Sequence, residues 1–106
     1  MTIEYIKDKD FTTKVYSAEG VKILVFYAEW CPHCHRMLPP LQELDKAYGT
    51  KIKIFIINVE NAPKACAKYE VKAIPMLCFL KNGKEKDRIA GEETLEVLQE
   101  KISQLL

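Results

Sequence analysis

The sequence predicts an α/β fold: a central mixed sheet of about five strands flanked by four helices, in the order βαβαβαββα. Three observations carry this. The segments VKILVFYA (21–28), IKIFIIN (52–58) and MLCFL (76–80) are nearly continuous apolar runs, as in strands buried on both faces. Stretches with apolar residues at helical spacing alternate with them. Asn82-Gly83 then supplies the strongest short hairpin signal, so an antiparallel strand is added to the alternating pattern.

Taken in order, Ile3 to Ile6 is a short apolar start read as a strand. Over 8–19, Phe11, Val15 and Ala18 recur at helical spacing and Gly20 is the stop. The strand 21–28 follows. A helix over 34–48 places Met37, Leu41, Leu44 and Tyr48 on one side; Gly49 ends it, and Pro39 and Pro40 inside it should kink it. The strand 52–58 leads to a short helix over 62–69, with Pro63 in its first turn. After the strand 76–80 and the hairpin, 85–90 is polar enough for an edge strand. The helix 92–105 closes the chain with Leu95, Leu98, Ile102 and Leu105 on one face.

At 106 residues the chain is expected to be one domain, 1–106, large enough for a core without disulfide staples. Sixteen basic and fifteen acidic residues give a net charge of +1, with no run of five like charges. That argues against a phosphate-neutralising nucleic-acid surface. No apolar stretch approaches membrane-spanning length. Met1-Thr-Ile-Glu-Tyr lacks the basic and apolar regions of a signal peptide, so a complete chain is expected in the cytoplasm, as a monomer.

Four cysteines are present: Cys31, Cys34, Cys66 and Cys78. The first two form Cys-x-x-Cys within Trp30-Cys31-Pro32-His33-Cys34, between a buried strand and a helix. Cys31 is expected at the helix N-terminus, where unpaired N–H groups and the helix dipole favour a thiolate, the reactive form. Cys34 stands one turn later, within reach of a disulfide and shielded where Cys31 is exposed. Pro32 has its φ preset for a first helical turn. His33 brings a positive charge near the Cys31 sulfur. A second element, Ile74-Pro75, enters the third apolar strand, and proline is the residue for which a cis bond is cheap.

Other chemistries fit less well. A structural zinc wants four ligands, and Cys31, Cys34, His33 and His35 would crowd one helical turn. Cys31-Pro-His-Cys34-His35 satisfies the c-type haem pattern, which needs export and an axial partner. His35 reads as a solvated helix residue and Cys78, in an apolar run, as inert core. Cys66 reads as core or inert surface ahead of a regulatory thiol. No metal and no cofactor are therefore expected beyond a Cys31–Cys34 disulfide.

The sequence resembles thioredoxin. FYAEWCPHCHRMLPPL, the asparagine and proline of NVENAP, KYEVKAIP, FLKNGK, and Gly91 before the last helix run in order with family-like spacing, over nearly the whole chain. The resemblance implies a thioredoxin fold and thiol–disulfide exchange on protein disulfides or dithiols, with a thioredoxin-reductase-like electron donor. It gives Cys31 the nucleophile role and Cys34 the resolving role. It makes Pro75 a cis proline, Pro39 the helix kink, and Trp30, Ile74, Pro75 and Gly91 the substrate-binding surface.

Two departures bear on function. Thioredoxins typically have Gly-Pro between the cysteines; here Pro32-His33 is similar to the dipeptide of periplasmic disulfide oxidases. The buried aspartate of the family is replaced by Val25, and its lysine partner by Ile56. The expectation is a cytoplasmic protein-disulfide reductase with a more oxidising potential than a Gly-Pro thioredoxin. The alternatives are a disulfide oxidase or isomerase, and a thioredoxin-fold adaptor that binds through Trp30 and Pro75.

Overall fold

The three apolar runs become the inner strands of a single sheet. The computed structural model describes residues 3–16 and 19–106. Its strands are β1 (Ile3–Ile6), β2 (Val21–Tyr27), β3 (Ile52–Asn58), β4 (Met76–Lys81) and β5 (Lys84–Ala90), in the spatial order β1-β3-β2-β4-β5. β3 runs parallel to β1 and β2; β4 is antiparallel to β2 and β5. The more polar β5 is an edge strand, as its sequence predicts.

The β4–β5 turn needs Asn82-Gly83 for two reasons. Both residues have positive φ, 53° and 83°. A Cβ on Gly83 would also stand 2.7 Å from the Tyr16 carbonyl oxygen. Asn82 ties this turn to the start of β2: its N–H donates to the Gly20 carbonyl at 2.9 Å, and its Oδ1 accepts the Gly20 N–H at 2.8 Å.

Among the described residues, four α-helices flank the sheet: α1 (Pro32–Arg36), α2 (Leu38–Tyr48), α3 (Pro63–Lys68) and α4 (Leu95–Leu105). The helix predicted over 34–48 starts earlier, at Pro32, and breaks at Met37. Pro39 and Pro40 have no N–H to return to the carbonyls of His35 and Arg36, so the ladder is interrupted there and restarts with Leu41 N–H on Met37 O. The last helix begins at Leu95 rather than Glu92, because the Thr94 hydroxyl accepts the Val97 N–H and caps it.

The segment predicted as a helix over 8–19 departs further. It is a 3-10 turn at Asp8–Asp10 followed by a π-helical turn at Thr12–Tyr16; Ala18 lies outside the described residues. Phe11 and Val15 are buried as their spacing requires. The turn is set by Asp8, whose carboxylate accepts the N–H groups of Lys64 (3.0 Å) and Ala65 (2.9 Å). It thus caps α3, whose own N-cap residue Ala62 has no side-chain oxygen. Replacing Asp8 by alanine should lower stability by about 1–2 kcal/mol, since it strands two helix donors. Urea unfolding of the two proteins measures this, and an unchanged midpoint would contradict the capping role.

The sheet divides the core in two. One face of β2 (Ile23, Val25, Tyr27) packs with α1, α2 and α4 through Cys34, Leu41, Leu44, Leu98 and Ile102. The other (Leu24, Phe26) packs with α3 and the N-terminal segment through Ala65, Tyr69, Phe11 and Val15. Among the described residues no helix is long and apolar enough to cross a membrane.

Candidate active site

The first face of the sheet ends in the cysteine turn. Cys31 has an extended backbone (φ −96°, ψ 107°) and is the N-cap of α1, with Pro32 at the first helical position. Its Sγ accepts the N–H of Cys34 at 3.3 Å, and its carbonyl accepts the N–H of His35 at 3.2 Å. This is the arrangement expected from the sequence: a sulfur at the mouth of a helix turn, with its partner one turn further in.

Exposure differs from expectation. Cys31 is 4% exposed and Cys34 2%, so both are covered. Both belong to one buried cluster with Val25, Ala28 and Ile56, and Ile74 packs against it. Both are free thiols. The Cys34 thiol is pushed well above the ordinary range, first by burial and then by its hydrogen bond with Cys31. Val25 and Ile56 are partners in the β2–β3 register and lie beneath the pair as apolar floor.

Ile74 packs against the cluster that holds both cysteines, and Gly91 directly precedes Glu92, which pairs with His33. Trp30, beside Cys31, is 67% exposed. The Ile74-Pro75 bond is cis. The Pro75 carbonyl accepts the Gly91 N–H at 2.8 Å, which joins the β4 entrance to the loop before α4.

Two residues that sequence reading missed tie that loop to α1. A Glu92 carboxylate oxygen pairs with His33 Nδ1 and accepts a hydrogen bond from Arg36 Nε at 2.8 Å. His33 first and Arg36 second hold the Glu92 carboxyl below its usual range. Arg36 Nη2 also lies 2.9 Å from His33 Nδ1. That nitrogen therefore either carries a proton toward Glu92 or accepts from Arg36. Glu92 lies 59 positions from His33 and 56 from Arg36, and nothing in that spacing announces the contact.

His35 is exposed, as expected, and its Nε2 donates to the Glu29 carbonyl at 2.5 Å. Cys66 is half-buried on α3, beside a pocket of about 210 Å³ lined by Val59, Val71 and Ile74; burial raises its thiol pKa. Among the described residues no group of three or more His, Cys, Asp or Glu is placed to hold a metal ion.

Cys78 is fully buried and its thiol is pushed up to about 12, chiefly by burial. A raised folded pKa gives stability that is complete below the unfolded value of about 8.5 and is lost as pH rises toward the folded value. The reduced protein should therefore lose up to about 1.4 kcal/mol per pH unit from this thiol above pH ~8.5. Urea unfolding under reducing conditions from pH 7 to 10 should show a shallower decline for Cys78→Val; identical slopes would contradict this.

A family profile described as Thioredoxin matches residues 2–104. The chain is 39% identical over 100 residues to the thioredoxin of Staphylococcus epidermidis, covering 94% of both chains. The same identity and coverage hold for the thioredoxin of Staphylococcus aureus. It is 31% identical over 104 residues to the chloroplastic M-type thioredoxin of Pisum sativum; this match covers 98% of the chain and spans 60% of the pea protein.

Proposed function

The chain belongs to the thioredoxin family of protein-disulfide oxidoreductases, and on that premise we propose that it exchanges electrons with protein disulfides through Cys31 and Cys34. The Cys31 thiolate attacks a substrate disulfide and forms a mixed disulfide; Cys34 then attacks the Cys31 sulfur and releases the reduced substrate. The enzyme leaves this cycle with a Cys31–Cys34 disulfide and needs no other cofactor. A thioredoxin-reductase-like donor in the cytoplasm restores the dithiol. Substrate lies across Trp30, Ile74, the cis proline Pro75 and Gly91. The observation that carries the reading is the Cys31 sulfur at the N-cap of α1, accepting the Cys34 N–H, with the loop of Gly91 tied to the same helix through the Glu92–His33 pair.

His33 sets the direction. Arg36 offsets the Glu92 carboxylate, so a protonated His33 leaves excess positive charge at the mouth of the site. Positive charge stabilises the anionic reduced form over the neutral disulfide, which makes the protein more oxidising. Pro32→Gly with His33→Pro should lower the potential by tens of millivolts, at roughly 30 mV per 1.4 kcal/mol. Equilibration against glutathione buffers measures it; an unchanged or higher potential would remove His33 from this role.

The activity itself is tested by reduction of insulin disulfides with dithiothreitol as electron source. Catalysed precipitation of the insulin B chain is the expected result. A rate no faster than dithiothreitol alone would overturn the proposal.

A further inference from the structure

Resolution of the mixed disulfide requires Cys34 to lose a proton, and its surroundings offer almost nothing to take it. Among the described residues, the buried members of the cluster that holds Cys31 and Cys34 are aliphatic, aromatic or sulfur-bearing, and the hydroxyl among them is that of Tyr27; Tyr48, at the end of α2, only packs against the cluster. Tyr27 lies two residues beyond Val25 on β2, so both project to the same face, and Tyr27 is the nearer to α1 along the strand. Tyr27 as a residue is 8% exposed. It lines a pocket of about 200 Å³ whose wall includes Ile56 and whose rim carries the exposed side chains of Tyr5, Lys7 and Glu29. Tyr27 therefore spans from the cysteine cluster to a solvent-open, polar pocket large enough for several waters.

We propose that Tyr27 is the proton relay for Cys34, linking the buried thiol to the pocket bounded by Glu29 and Lys7. This inference rests on the exchange function proposed above. As Cys34 Sγ attacks Cys31 Sγ, its proton passes through a bridging water to Tyr27 Oη. The Tyr27 hydroxyl proton moves at the same time to pocket water and on to Glu29 or bulk solvent. The Cys31–Cys34 bond forms, the Cys31–substrate bond breaks, and the substrate sulfur leaves with the electron pair as a thiolate. The phenol is regenerated, so it never has to exist as a phenolate.

The electrostatics agree with this placement. Tyr27 has its pKa raised first by burial, then by neighbouring Tyr5, Glu29 and Cys34, so the phenol feels both the thiol and the carboxylate it would connect. The charged and titratable groups around it are Tyr5 and Lys7 from β1 and the residue after it, Glu29 from the β2–α1 loop, and Cys31 and Cys34 from the cysteine turn. β3 contributes Asn58 and Ile56, neither of which titrates.

The test uses dithiobis(nitrobenzoate) on the reduced protein, followed by stopped-flow absorbance. The first released nitrothiolate reports attack by Cys31; the second, independent of reagent concentration, reports resolution by Cys34. Tyr27→Phe keeps the ring and removes the hydroxyl. It should leave the first phase within about twofold and slow the second by roughly tenfold near pH 7, as loss of a general acid–base group does. The deficit should narrow as pH rises and hydroxide deprotonates Cys34 directly. That narrowing with pH marks a proton-transfer role, which a merely structural role of the hydroxyl would not produce. Equal second-phase rates for wild type and Tyr27→Phe from pH 6 to 9 would overturn the relay, as would a deficit that stays constant across that range. Absence of the first phase at Cys31 in wild type would instead defeat the exchange function itself.

Discussion

Cys31→Ser is expected to reduce insulin turnover to the rate of dithiothreitol alone. A serine hydroxyl is neither ionised near neutral pH nor able to form the mixed disulfide, so the first step has no nucleophile. The N-cap geometry would survive, because serine is a preferred N-cap residue and can accept the Cys34 N–H that Cys31 now accepts. The variant should thus be folded and inactive. Circular dichroism and urea unfolding close to wild type, alongside background turnover, is the expected pairing. Retained turnover would transfer the nucleophile role to another thiol. Cys66 and Cys78 are poor candidates: burial raises the pKa of both.

The second large effect is expected from Val25→Asp. The position is buried opposite Ile56 in the same cluster as Cys34, so a carboxylate there adds a proton acceptor beside the Tyr27 route. Resolution near pH 7 should become several times faster, a gain limited because Tyr27 already gives wild type a path. Stability should fall by about 1–3 kcal/mol even with the acid neutral, since Ile56 offers no partner. The sign with pH follows. Burial raises the aspartate pKa, so the penalty is smallest below the unfolded value of about 3.9 and grows as pH rises through the folded value. Mixed-disulfide decay and urea unfolding from pH 5 to 9 measure both effects. If wild type already resolves as fast as the variant throughout, the missing carboxylate has no kinetic consequence.

Much of this was legible from residue order. The three apolar runs became β2, β3 and β4 because strands buried on both faces leave little room for polar alternation. The hairpin was legible because Asn82-Gly83 suits positive φ at both central residues. What was not legible was set by contacts distant in sequence. The segment after β1 gave up regular helix because Asp8 caps α3, 56 and 57 positions away. The exposed Cys31 expected from the motif is covered, since burial depends on how the cysteine turn, Ile74 and the sheet meet. Glu92 and Arg36, which hold the loop of Gly91 against α1, carry no motif. Tyr27 reads in the sequence as one more strand aromatic. Only the pocket at the end of β2 distinguishes it from its neighbours.

The central claim is that Cys31 forms the covalent intermediate and Cys34 resolves it. Its most direct test is to mix reduced Cys34→Ser with a protein disulfide and map the trapped product by mass spectrometry. The account predicts one substrate molecule joined through a disulfide to Cys31, with Cys66 and Cys78 unmodified. Substrate joined to Cys66 or Cys78, or no adduct under conditions where wild type turns over, would contradict it.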